Sequence, residues 1–156
     1  MTRRTKAAFT WIVGLLRKNK IPFQIFGGFA ANIYGSNRAL VDIDIEIPES
    51  RFSDIIPEIK RYIIEGPERY KDENFDVFYL SLIYKGQEID ICGIETQRLF
   101  NQKTGKWFKR NIDLTRANRK KVFSLFVPVI PRKDLISYKK KLGRDMDVQD
   151  VQALSG

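Results

Sequence analysis

Residues 26–48 read FGGFAANIYGSNRALVDIDIEIP, and the second half of that stretch decides the fold. From Val41 to Ile47 apolar and acidic residues alternate, as side chains alternate faces along a strand. Val41, Ile43, Ile45 and Ile47 are expected on one face, with Asp42, Asp44 and Glu46 on the other. Neighbouring carboxylate-bearing Cα atoms on that face lie about 6–7 Å apart. Carboxylates held so close repel, and partial burial makes their ionised forms costlier still. Either the face is open to water or a cation sits on it. A divalent metal is the economical answer, because Mg²⁺ is commonly held by one or two carboxylates together with substrate phosphates. Upstream, Gly27-Gly28 turns a short strand, residues 23–26, into a helix expected at Phe29–Tyr34. Glycine permits positive φ and close backbone approach, so the turn can offer bare N–H groups to a phosphate. Most glycine pairs are plain tight turns; the aspartates that follow give this one its interest.

Taken together, Gly27, Gly28, Asp42 and Asp44, with Arg38 between them, resemble the signature of the nucleotidyltransferase superfamily of the DNA polymerase β type. The likeness is to its small minimal and toxin-like (AbiEii) members. The resemblance implies that the glycine turn approaches nucleotide phosphates, that the two aspartates bind Mg²⁺ (or Mn²⁺), and that a third carboxylate on a neighbouring strand completes the site. Arg38 either contacts a phosphate or pairs with a carboxylate and orients it. The family often has a threonine two residues after this arginine, where this chain has Leu40.

The composition narrows the chemistry. The chain of 156 residues, 43% of them hydrophobic, is read as one domain, residues 1–156, with enough apolar side chains for a core. No apolar run approaches the roughly 20 residues that span a bilayer, and no signal peptide is read, so a cytoplasmic location is expected. One cysteine, Cys92, excludes an internal disulfide framework. The chain has no histidine, which excludes Ser-His-Asp and Cys-His nucleophiles and most zinc enzymes. Catalysis would rest on carboxylates, lysines, arginines and a bound metal. The net charge of +9 is uneven. Residues 101–144 carry fourteen Lys and Arg against Asp113 and Asp134, while the remainder is net acidic. A basic region beside an acidic strand suits a polyanionic substrate; a solvated surface is the plainer reading.

Along the chain, residues 4–18 read as an amphipathic helix and residues 50–64 as a second, capped by Ser50 and interrupted by Pro57. Glu65–Asn74 reads as a charged loop. Residues 75–84 and 88–92 form a hairpin around Lys85-Gly86. Asp90, flanked by Ile89 and Ile91, is the candidate third carboxylate, and Glu46 is expected outside the metal site. Cys92 reads as a small core residue, and Trp107 and Phe108 as anchors of a basic loop. Near the end, at about residues 131–156, a helix pair is expected. There Lys139, Arg144, Asp147 and Asp150 match the spacing of the toxin-like relatives, which implies that Lys139 reaches the phosphates while Arg144 and the aspartates brace the helices.

The expected fold is α/β (α+β), a small mixed sheet with helices packed against it. The expected function is metal-dependent transfer of a nucleoside monophosphate from a nucleoside triphosphate, ATP among them, to an acceptor: RNA or tRNA through the basic region, a protein, or a small molecule. An antitoxin partner belongs to the same expectation. The alternatives are a catalytically inactive nucleotide- or RNA-binding module of this fold and a glycosyltransferase using a D-x-D pair.

Overall fold

The computed structural model describes residues 2–156. Helix α1, Arg3–Lys18, opens with the Thr2 side chain accepting the Thr5 N–H and closes on Arg17 and Lys18, cations at the negative end of the helix. Its apolar stripe, Phe9, Ile12, Val13 and Leu16, is buried. Strand β1, Gln24–Ile25, runs directly into helix α2, Gly27–Ile33. Strand β2, Asp42–Ile47, follows a loop, and helix α3, Phe52–Ile59, lies between two 3-10 turns that stand in for the longer helix expected there.

Strands β3, Ile63–Lys71, β4, Phe75–Tyr84, and β5, Gln87–Gly93, come next. The hairpin β6, Arg98–Asn101, with β7, Lys106–Lys109, and the hairpin β8, Asn118–Val122, with β9, Leu125–Val129, precede helices α4, Arg132–Leu142, and α5, Asp145–Ser155. All nine strands join one mixed sheet in the order β7-β6-β4-β5-β2-β1-β9-β8, with β3 on the free edge of β4. This is the mixed sheet with packed helices expected from the alternation. No helix among the described residues is long and apolar enough to cross a membrane.

One face of the sheet is the core. Ile43, Ile45 and Ile47 of β2, Ile89 and Ile91 of β5, and Leu80 and Leu82 of β4 are all fully buried. On that face Phe78 meets Phe52 of α3 edge-on, and Tyr84 stacks on Trp11 of α1 at 4.0 Å. The opposite face carries the acidic residues. Three local expectations change. Val41 precedes the strand and is 70% exposed, so it takes no part in the apolar row. The run expected as a charged loop is mostly β3, an edge strand whose side chains are largely exposed; its Gly-Pro and charges mask a strand that pairs from Ile63 to Lys71. Cys92 points away from the core, alternating with buried Ile91 and Gly93.

Glu46 continues the acidic row but is fully buried. Arg110 reaches it at 2.9 Å, Gln24 donates to it at 2.6 Å, and Gln97 bridges to Arg110. The Arg110 guanidinium lies 4.4 Å from the Tyr138 ring centre. Glu46 is thus spent on the fold and stands apart from the aspartates. Removing the cation alone strands a buried charge, so Arg110→Met is expected to cost about 3–5 kcal/mol, and adding Glu46→Gln to recover part of that loss. Urea unfolding of the two variants checks it.

Candidate active site

The parallel pairing of β2 with β5 aligns Asp44 directly opposite Asp90, with Asp42 one step along. Carboxylate oxygens of Asp42, Asp44 and Asp90 all lie within 4.8 Å of one another, half-buried at the base of a cleft of about 500 Å³. Two carboxylates have protein donors. Ser81 donates to Asp90 Oδ1 at 2.7 Å, and the Gly28 N–H donates to Asp44 Oδ2 at 3.0 Å. Asp42 Oδ1 is buried and has no hydrogen-bond partner among the described residues.

A buried acceptor left unpaired is costly, and here it faces two further carboxylates. All three groups are pushed up from the usual carboxylate range: Asp42 to about 8 and Asp44 to about 7, by burial first and then by the charge of Asp90, and Asp90 to about 6, by burial opposed by the Ser81 hydrogen bond. An oxygen-lined, electron-rich, partly dehydrated cluster is the donor set a hard divalent cation takes. The residues fit such an ion.

The glycine turn has a role that the sequence did not suggest. Gly27 has φ +62°, and a Cβ there would sit 2.6 Å from Asp44 Oδ2. A Cβ on Gly28 would sit 2.7 Å from the Arg38 guanidinium. Both positions must lack a side chain so that an aspartate and an arginine can close on the backbone. The N–H groups expected to be bare are engaged: Gly28 with Asp44, and Gly27 with the Tyr138 hydroxyl at 2.9 Å.

Arg38 holds Asp150 through two hydrogen bonds, Nε to Oδ1 at 3.1 Å and Nη2 to Oδ2 at 2.9 Å. Of the two roles open to it, this structure displays the carboxylate pair. Lys139 is 2% exposed, and its ammonium lies 3.1 Å from Asp147 and 3.0 Å from Asp150. Arg144 reaches Asp147 at 2.6 Å, and Ser36 donates to Asp150 at 2.7 Å. The fully buried carboxylates of α5 therefore gather Arg38, Lys139 and Arg144, all three of which line the cleft.

The rest of the cleft comes from residues that sequence reasoning left out. Glu65, Tyr70, Asp72 and Tyr79 form its wall on β3 and the neighbouring β4, and Tyr138 and Cys92 also border it. The period-two run of β4 held a usable signal, since Val77, Tyr79 and Ser81 share the Asp90 face. Burial, and then the carboxylate of Glu65, holds the Tyr79 phenol above its ordinary value. Burial likewise raises the Cys92 thiol, so it is no nucleophile.

The raised carboxylates set a sign for pH. Their folded-state pKa values exceed the unfolded value of 3.8. Their contribution to stability is complete below about pH 4 and is lost as pH rises through about 6 to 8. In chelator the melting temperature is expected to fall over that range. Mg²⁺ or Mn²⁺ should raise it more at about pH 8 than at about pH 5, and Asp42→Asn should flatten both trends. Thermal unfolding across pH, with and without metal, measures this.

No protein-family model matches the sequence, and no curated protein does. Solved structures do match. The chain is similar to a candidate nucleotidyltransferase from Thermotoga maritima, with a TM-score of 0.75 and 19% identity over 97% of this chain and 93% of the other. It is also similar to the lincosamide antibiotic adenylyltransferase LnuA in its lincomycin-bound form, with a TM-score of 0.62 and 14% identity over 95% and 94% of the two chains. A third likeness is to ANT(2'')-Ia in complex with adenylyl-2''-tobramycin, with a TM-score of 0.58 and 12% identity over 96% and 87%. At such identities the agreement is one of architecture, and on it the chain has the nucleotidyltransferase fold.

Proposed function

We propose that this chain is a metal-dependent nucleotidyltransferase that moves a nucleoside monophosphate from a nucleoside triphosphate to a hydroxyl acceptor. The observation that carries the reading is the convergence of Asp42, Asp44 and Asp90 around the unpartnered Asp42 Oδ1. The three carboxylates would hold Mg²⁺ or Mn²⁺, which when bound supplies charge neutralisation at the phosphates and a lowered pKa at the acceptor hydroxyl. Asp90, steadied by Ser81, is the residue placed to take the hydroxyl proton.

Arg38, Lys139 and Arg144 line the same cleft and give it cations for a triphosphate. Their anchoring to Asp147 and Asp150 keeps them oriented before substrate arrives. Gly27 and Gly28 keep the backbone open enough for Asp44 and Arg38 to close on it. Because such chemistry consists mostly of positioning and charge neutralisation, a chain without histidine can perform it.

The spacing of Lys139, Arg144, Asp147 and Asp150, gathered into one ion cluster, supports the toxin-like type. An RNA acceptor and an antitoxin partner rest on that resemblance alone. The two basic hairpins, β6–β7 and β8–β9, lie at opposite ends of the strand order.

Label transfer from the four α-labelled nucleoside triphosphates tests the reading. Wild-type chain with Mg²⁺ or Mn²⁺ should label an acceptor, and Asp42→Asn and Asp90→Asn should each lower kcat by at least about 100-fold. Undiminished transfer by Asp42→Asn would place the chemistry elsewhere. Metal-dependent binding of a triphosphate with no transfer to any acceptor would favour the inactive binding module.

A further inference from the structure

We infer that the protein carries a second binding site, for a small phosphate-type oxyanion that also bears a hydroxyl, in the cavity between α4 and the segment that follows β7. This cavity measures about 220 Å³ and lies apart from the aspartate cleft, with Tyr138 as the partition that borders both. Gln24 of β1 and Arg110 border this cavity and not the cleft.

Its floor is buried and polar. Gln24 is 2% exposed and Arg110 8%. Both donate to the same atom, Glu46 Oε1, at 2.6 Å and 3.3 Å. A carboxylate accepts, so the Gln24 amide must present its nitrogen to Glu46, which turns Oε1 the other way. That oxygen is buried and has no hydrogen-bond partner among the described residues. A buried acceptor in that state calls for a donor. Arg110 makes three hydrogen bonds to Glu46 and Gln97, and its Nε–H has no partner among the described residues. The floor therefore offers one neutral acceptor and one charged donor side by side. The complementary occupant carries a hydroxyl next to an anionic oxygen.

The walls select for negative charge. Lys109, Arg116 and Lys141 join Arg110 around the cavity, against Asp113 and Asp134. Asp134 is matched by Arg116 at 3.6 Å, and Asp113 is exposed and accepts from Thr115. Lys109 and Lys141 form no ion pair among the described residues. The Lys141 ammonium is held 4.7 Å from the Phe108 ring centre. Such cations stabilise an oxyanion through charge-assisted hydrogen bonds. The cavity is smaller than the roughly 300–1,000 Å³ of sites for drug-sized ligands, so it suits orthophosphate or a small phosphate ester and not a nucleoside triphosphate. Orthophosphate supplies the hydroxyl as its own P–OH, and a small ester supplies it from its carbon chain.

Calorimetric titration at about pH 8, where phosphate is a dianion, compares orthophosphate and glycerol 3-phosphate with sulfate, which has the same charge and no proton, and with uncharged glycerol. A chelator keeps metal from drawing phosphate to the aspartates. At least one of the two phosphates is expected to bind saturably, and the tighter of them names the source. Sulfate should bind at least about tenfold more weakly, as the loss of a hydrogen bond to a buried acceptor implies. The double variant Lys109→Gln/Lys141→Gln should weaken phosphate binding by at least about tenfold, with its melting temperature reporting that it is folded. In ¹⁵N–¹H spectra the largest shifts on adding phosphate are expected at the Arg110 Nε–H and at the Asn111 and Ser137 amides.

Absence of saturable binding by both phosphates, sulfate or glycerol binding as tightly as they do, or an unchanged affinity in the double lysine variant would each overturn the proposal. So would shifts that are largest at Gly28 and along α5, since these would put the ion among Arg38, Lys139 and Arg144 in the cleft.

Discussion

The parallel register of β2 against β5 is the constraint on which the site depends. Six consecutive pairs, from Asp42 opposite Glu88 to Ile47 opposite Gly93, lock the two strands together. Ile43, Ile45 and Ile47 are fully buried on the core side, so a slip of β2 by one residue would turn these three isoleucines to water and Asp42, Asp44 and Glu46 into the core. Apolar burial therefore forces the acids together against their repulsion. The unfavourable charge density at the cleft is sustained by the hydrophobic energy of the opposite face, which is how a folded chain can hold a cation site poised before any cation arrives.

A second layer of order comes from charge pairing. Three acids close to the aspartate cluster but not part of it have been given partners. Glu46 is matched by Arg110 and two glutamines, and Asp147 and Asp150 by Lys139, Arg38 and Arg144. These pairs are buried, so their value lies less in net stability than in the unique arrangement they impose. Tyr138 ties the two systems together, since its ring faces Arg110 while its hydroxyl accepts from Gly27.

Much of this was legible in the chain itself. The alternation of Val41–Ile47 named Asp42 and Asp44, and the Ile89-Asp90-Ile91 triplet named their partner, because a period of two is a local property of strands. What was not legible depended on distant closure. Nothing near Glu46 announces that Arg110, 64 residues on, will neutralise it. The glycine pair was visible, but not that an aspartate and an arginine would press against it. The acidic wall was hidden because a Gly-Pro step and a run of charges resemble a loop, although an exposed edge strand tolerates both.

The ion cluster under α5 has a bearing on how the protein comes into being. Asp147 and Asp150 follow the aspartates of β2 by about a hundred residues, and without them Lys139 and Arg38 would face the cleft as unrestrained, hydrated cations. During synthesis the sheet and its three carboxylates emerge from the ribosome well before residue 150. A nascent chain can thus gather the acids early while the phosphate-facing side still lacks its frame. The phosphate-facing side gains its frame when the acidic turn of α5 docks, after the strands that carry the aspartates.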